Sequence, residues 1–134
     1  MTLVVDASVA MKWLVETDGS VAARDLIGAD ILVAPELIAA EVANALWRYV
    51  ANGQMAAIAG EMALGALTRT LDQLYPTEPL AASAYGLACR LGHTAYDCFY
   101  LVLAERVSAT LITADRRLVA KVAGTAWQDR VRLL

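Results

Sequence analysis

The sequence predicts an α/β fold: a three-layer α/β/α sandwich on a small, mostly parallel central sheet. Three observations carry that prediction. Short, continuous apolar runs stop abruptly at Asp6, Pro35 and Thr113, as strands buried on both faces do. Longer stretches with helical spacing lie between them, so strands and helices alternate. Helical residues far outnumber strand residues, which keeps the sheet small. With 134 residues, 59% of them hydrophobic, the chain fits one domain, residues 1–134, with a sizeable core.

The elements follow in order. "TLVVD", 2–6, is a β-branched buried strand closed by an acid. "SVAMKWLVE", 8–16, places Val9, Trp13 and Leu14 on one helical side. "GSVAARDLIG", 19–28, is a short helix with Ser20 as N-cap and Gly28 as stop. "DILVAP", 30–35, is the second strand. Residues 36–52 form a helix ending at "NG", and 55–71 form another rich in Ala and Leu. "LDQLYP", 71–76, alternates and ends in Pro76, which suits an edge strand. A helix over 79–91 stops at Gly92, and "TAYDCFYLVLAERVS", 94–108, follows with Thr94 as its cap. "ATLIT", 109–113, is a buried strand, "DRRLVAKVAG", 115–124, a helix, and "TAWQDRVRLL" ends in a last strand.

Composition narrows the chemistry. The net charge of −3 argues against broad electrostatic coating of nucleic acid. It leaves room for a nuclease whose metal ions meet the phosphate. No apolar run reaches the ~18 residues of a membrane span. Asp6 interrupts the N-terminal apolar run and no positive segment precedes it, so no signal peptide is expected. Cys89 and Cys98 form no C-x-x-C pattern, and reduced, partly buried thiols in a cytoplasmic protein are expected. One histidine and two cysteines cannot complete a structural zinc site. A single histidine, His93, also rules out a two-histidine ribonuclease. Beside Gly92 it reads as a surface or packing residue. Any chemistry must come from carboxylates.

In open parallel sheets, sites form beyond the carboxyl ends of the strands. Asp6 ends strand one, Glu41 lies in the first turns of the helix after strand two, Asp97 in the first turn of the helix before "ATLIT", and Asp115 follows that strand. The topology, rather than their spacing, would bring all four to one rim. Each also has an ordinary role open to it. Thr94 and Asp97 match a capping box, Asp115 suits a helix cap, Asp6 a strand end and Glu41 an exposed helix. Together they suggest more, because Asp6 and Asp97 border apolar residues and no matching set of lysines accompanies them. Mg²⁺ or Mn²⁺ prefers such oxygen ligands. Ser8 and Thr113 lie within two residues of Asp6 and Asp115, placed to orient a carboxylate or cap a helix. Asn44 shares a helix face with Glu41. Lys12, Arg48, Arg116 and Arg117 are candidates for a phosphate backbone, Arg116 foremost for its place next to Asp115. Glu105 suits an outer acid or a surface ion pair. Trp13, Trp47 and Tyr49 suit core or dimer packing better than base stacking.

At these residues the chain resembles the PIN-domain family, and within it the VapC toxin nucleases. "VVDASVAMKWL" is similar to the family's opening, with Asp6 and Ser8. "PELIAAEVANAL" resembles the segment of the second acid, Glu41, with Asn44 after it. "AYDCFYLVLAE" and "TLITADRRL" resemble those of Asp97 and of Asp115 with Thr113. The resemblance covers essentially the whole chain. It implies a Mg²⁺- or Mn²⁺-dependent endoribonuclease, a homodimer, and a VapB-like antitoxin partner that occupies the toxin groove.

Other readings stay open on the residues alone. A ribonuclease H-like fold would begin with consecutive antiparallel strands, whereas a helix follows strand one here. A haloacid-dehalogenase-type phosphatase would carry an acid where Ser8 stands. A catalytically idle PIN module would only bind a partner.

Overall fold

Five short strands form one sheet in a computed structural model describing residues 1–134. They are β1 (Thr2–Val5), β2 (Ile31–Pro35), β3 (Gln73–Tyr75), β4 (Thr110–Thr113) and β5 (Val131–Leu133). Every pairing is parallel, in the order β3-β2-β1-β4-β5. Seven helices accompany them: α1 (Ala7–Leu14), α2 (Ser20–Asp25), α3 (Leu37–Ala51), α4 (Ala57–Thr70), α5 (Ala81–Leu91), α6 (Ala95–Arg106) and α7 (Arg116–Val122). Short 3-10 turns precede α5 and β5. The expected three-layer α/β/α architecture is present, with β3 and β5 at the edges.

Burial follows the sequence pattern. Leu3, Val4 and Val5 of β1 and Leu111 and Ile112 of β4 are fully buried, as befits strands covered on both faces. No residue of edge strands β3 and β5 is fully buried. On one side α1 packs against α2, α3 and α4, and α3 against α4. On the other, α5 packs on α6, which runs across β1, β2 and β4. Ile38, Val42 and Leu46 repeat every four residues along the buried stripe of α3. Helix α6 lies deeper, with Cys98 and every residue from Tyr100 to Ala104 buried. No helix is long and apolar enough to cross a membrane.

Two local expectations need correction. Ser20 does not cap α2. Gly19 holds the N-cap position at φ 87°, and buried Ser20 turns back instead, donating to Val15 O and accepting from Thr17 N–H. Only a residue without Cβ takes that left-handed turn cheaply. The "TAYD" capping box does not close either. Thr94 makes no side-chain bond to the backbone of α6, and its hydroxyl faces Asp97 Oδ2 at 3.5 Å.

The chain order departs in opposite directions from β1: β2 and β3 lie on one side, β4 and β5 on the other. The gap between the carboxyl ends of β1 and β4 is therefore the topological switch point, where parallel sheets hold their ligands.

Candidate active site

Asp6 stands at that switch point. Pairing of Val5 with Ile112 sets the register, so the residue after β1 meets the last residue of β4. Thr113 Oγ1 donates to Asp6 Oδ2 at 2.5 Å, and Ser8 Oγ donates to Oδ1 at 2.5 Å. Val9 N–H adds a third bond to Oδ1 at 3.2 Å, making Asp6 the N-cap of α1. The carboxyl is only 4% exposed. Burial pushes its pKa up to about 6 against the pull of these donors, and the charge of Asp97 adds to the rise.

Glu41 reaches the rim from the second turn of α3 and is half-buried. Tyr100 Oη, from α6, donates to Glu41 Oε1 at 2.7 Å. Burial raises the Glu41 carboxyl, Tyr100 opposes that rise, and the charge of Asp97 reinforces it. Tyr100 is itself raised, by burial first and then by Glu41. Asp97, in the first turn of α6, is gripped through Oδ2 by His93 Nε2 at 2.5 Å. Nothing in the protein bonds its Oδ1. Asp97 also contributes, after burial, to lifting the Cys98 thiol to about 11.

Asp6, Glu41 and Asp97 thus form one electrostatically coupled group, with Asp97 common to both couplings. No lysine or arginine pairs with any of them. The chain's ion pairs are Met1–Asp30 and Arg24–Glu16, and the His93–Asp97 contact is a hydrogen bond that becomes an ion pair only with a protonated imidazole. Asp115 sits differently. Its Oδ1 accepts Arg117 N–H at 2.9 Å, capping α7. Its backbone N–H donates to Thr113 Oγ1 at 3.0 Å, which links it to Asp6 through one hydroxyl.

The rim is looser than a preformed ion cage. No three of the His, Cys, Asp and Glu side chains are gathered tightly enough to hold a metal ion as they stand. The donor set still fits a hard cation. Its free atoms are carboxylate oxygens, Glu41 Oε2 and Asp97 Oδ1, and Mg²⁺ keeps several waters and takes one or two protein carboxylates.

A cleft of about 620 Å³ opens beside the acids, between α1 and α3. Ser8, Glu41, Asn44, Arg48 and Tyr96 line it, with apolar residues such as Met11 and Leu37. Asn44 is exposed there and makes no bond to Glu41; Tyr100 performs that task. Arg116 and Arg117 are exposed at the start of α7. Lys12 is engaged elsewhere, its Nζ donating to Asp18 O at 2.5 Å. Glu105 is exposed, eight residues and roughly 12 Å along α6 from Asp97. Trp13 packs under α2, Nε1 donating to Ala23 O at 2.8 Å, whereas Trp47 is exposed.

Sequence reasoning missed two residues here. His93 reads as a surface or packing residue because it lies before the cap of α6, outside the helix, where no helical spacing pairs it with Asp97. Tyr100 lies 59 residues from Glu41, and no local pattern pairs them.

Comparison with known proteins gives the family and the fold. The PIN domain family model matches residues 3–124. Ribonuclease VapC9 of Mycobacterium tuberculosis is 37% identical over 116 residues, covering 87% of each chain. Ribonuclease VapC3 of Pyrobaculum aerophilum is 34% identical over 124 residues, covering 90% of this chain and 95% of its own. Among solved structures, PAE2754 from Pyrobaculum aerophilum superposes with a TM-score of 0.74 at 26% identity, over 93% of this chain and 87% of that one. The VapBC-1 structure from nontypeable Haemophilus influenzae shares the fold, with a TM-score of 0.64 at 18% identity over 98% of this chain and 97% of that one. A family match spanning most of the chain, relatives above 30% identity and acids at the switch point of a parallel sheet agree: this chain belongs to the PIN domain family.

Proposed function

We propose that this protein is a divalent-metal-dependent endoribonuclease, the toxin of a toxin–antitoxin pair, cutting RNA phosphodiester bonds. The observation that carries the reading is the coupled trio Asp6, Glu41 and Asp97, set at the switch point without a lysine or arginine partner. Like charges held together need a cation to offset them, and an RNA phosphate would need one still more. The ribonuclease names of the relatives support RNA as the substrate.

Asp6, Glu41 and Asp97 would hold Mg²⁺ or Mn²⁺, in part through water, with Asp115 at the margin. The bound cation supplies Lewis acidity and positive charge at the scissile phosphate. Ser8 and Thr113 fix both oxygens of Asp6, so its carboxylate cannot swing away. Tyr100 holds one oxygen of Glu41 and leaves the other free. Asn44 and Arg48 in the cleft, and Arg116 at the α7 end, would meet the RNA backbone. A VapB-like antitoxin, a second copy of the chain and a cytoplasmic setting belong to the same proposal, as the family resemblance implies them; the VapC names of the relatives bear on the ribonuclease alone. Exposed Trp47, Ile58 and Met62 on α3 and α4 offer apolar surface for such contacts.

The test is incubation of the full chain with mixed RNA and Mn²⁺, beside Asp6→Ala and a chelator control. Cleavage lost in the variant and in chelator supports the reading. Equal, chelator-insensitive RNA decay in both proteins would remove it.

A further inference from the structure

We infer that His93 is a positioning residue for Asp97, holding that carboxylate so that one oxygen faces the neighbouring acids. The inference rests on the metal-dependent reading above and adds a residue to it. His93 Nε2 and Asp97 Oδ2 are 2.5 Å apart, with the two side chains only 16% and 23% exposed. The second donor, Thr94 Oγ1, is distant at 3.5 Å. The imidazole is therefore the principal restraint on Asp97, and it engages one oxygen only.

The backbone makes this restraint rigid. Gly92 ends α5 at φ 63°, and its N–H and that of His93 both bond to Ala88 O. His93 is thus anchored to the last turn of α5, while Asp97 rides the first turn of α6. The bond crosses from one helix to the next. It fixes the carboxylate relative to the pair, beyond what the α6 backbone alone would impose. The arrangement repeats at all three coupled acids. Ser8 and Thr113 hold Asp6, Tyr100 holds Glu41, and His93 holds Asp97. A carboxylate accepts only, so the donor must carry its hydrogen at Nε2. Groups of this kind orient metal-binding side chains, and their loss weakens metal affinity by about 10- to 100-fold.

The experiment is Mn²⁺ titration of the full chain by calorimetry at neutral pH, with His93→Leu, His93→Gln and Asp97→Asn beside the wild type. Gln carries an N–H donor at a reach similar to Nε2. His93→Leu should raise the Mn²⁺ Kd by about 10- to 100-fold, and His93→Gln should restore wild-type affinity. Equal affinity in wild type and His93→Leu overturns the inference, as does a Gln variant no better than Leu. Either result leaves wild-type uptake intact, so the metal reading survives it. No uptake by the wild type overturns both.

A second measurement needs no variant. His93 is the sole histidine, so its ring proton resonances are assigned by inspection. Substoichiometric Mn²⁺ should broaden them, along with the ring signals of Tyr100 beside Glu41. Uptake of Mn²⁺ with those resonances unchanged would place the ion away from Asp97 and overturn the inference.

Discussion

Thr113 Oγ1 donates to Asp6 Oδ2 across the junction of the two central strands, at 2.5 Å, and the same oxygen accepts the N–H of Asp115 at 3.0 Å. One fully buried hydroxyl therefore serves two of the acids. Thr113→Val keeps the side-chain shape and removes both bonds. It leaves a part-buried N–H and a buried carboxylate oxygen short of a partner, which should cost about 1–3 kcal/mol. Urea unfolding checks this, and Thr113→Ser should recover most of the loss. A Val variant as stable as the wild type would show that the hydroxyl does not hold the rim.

A second prediction concerns pH. The pKa of Asp6 is raised from 3.8 to about 6, first by burial. Between those values the native state holds a proton that the unfolded chain has released. Stability from this group is therefore greatest at low pH and falls as pH rises towards 6. The full effect is about 3 kcal/mol. Raised Glu41 acts in the same direction. Asp6→Asn cannot titrate, so metal-free Asp6→Asn should gain stability relative to the wild type from pH 4 to pH 7. A difference that stays constant across that range would refute the assignment. Divalent cation should shrink the difference at pH 7 by offsetting the charge.

These two residues also mark what the sequence made legible. A continuous apolar run ending at Asp6, and another at Thr113, is enough to place both at strand ends. Strand–helix alternation then brings those ends together, because parallel strands share a rim. What the sequence could not convey is how each acid is held. Tyr100 meets Glu41 only through the packing of α6 against the sheet. His93 precedes α6, so no helical spacing pairs it with Asp97, and Gly92 beside it reads as a helix end. The "TAYD" capping box failed for a related reason: Asp97 bonds His93 in preference to the backbone. The sequence groups Asp115 with the other acids, whereas it caps α7 and the other three couple.

Tyr100→Phe tests the hold on Glu41. The ring is buried and its packing is retained, so only the 2.7 Å bond is lost. Half-buried Glu41 regains some water, so the cost should be about 1–2 kcal/mol in unfolding experiments. RNA cleavage should fall further than stability, because Glu41 loses its orientation. Unchanged cleavage by a folded Phe variant would mean that Glu41 acts without Tyr100, or does not act.

The last prediction follows the cleft outward from the acids. Glu41, Asn44 and Arg48 line it from one helix, α3, with Arg48 two turns beyond Glu41 and exposed. An exposed arginine without an ion pair contributes little to stability, so Arg48→Ala should unfold like the wild type. In RNA binding it should matter more. A single-stranded backbone loses about 0.7 of salt-dependence slope for each phosphate contact removed. Binding of a non-cleaved RNA, measured in an Asp97→Asn background over a range of salt, should weaken with Arg48→Ala. The log–log slope should flatten by about that amount. Weaker binding with an unchanged slope would mean that Arg48 shapes the cleft without touching a phosphate. No change in either would place the RNA path elsewhere, with Arg116 and Arg117 at the start of α7 the next residues to vary.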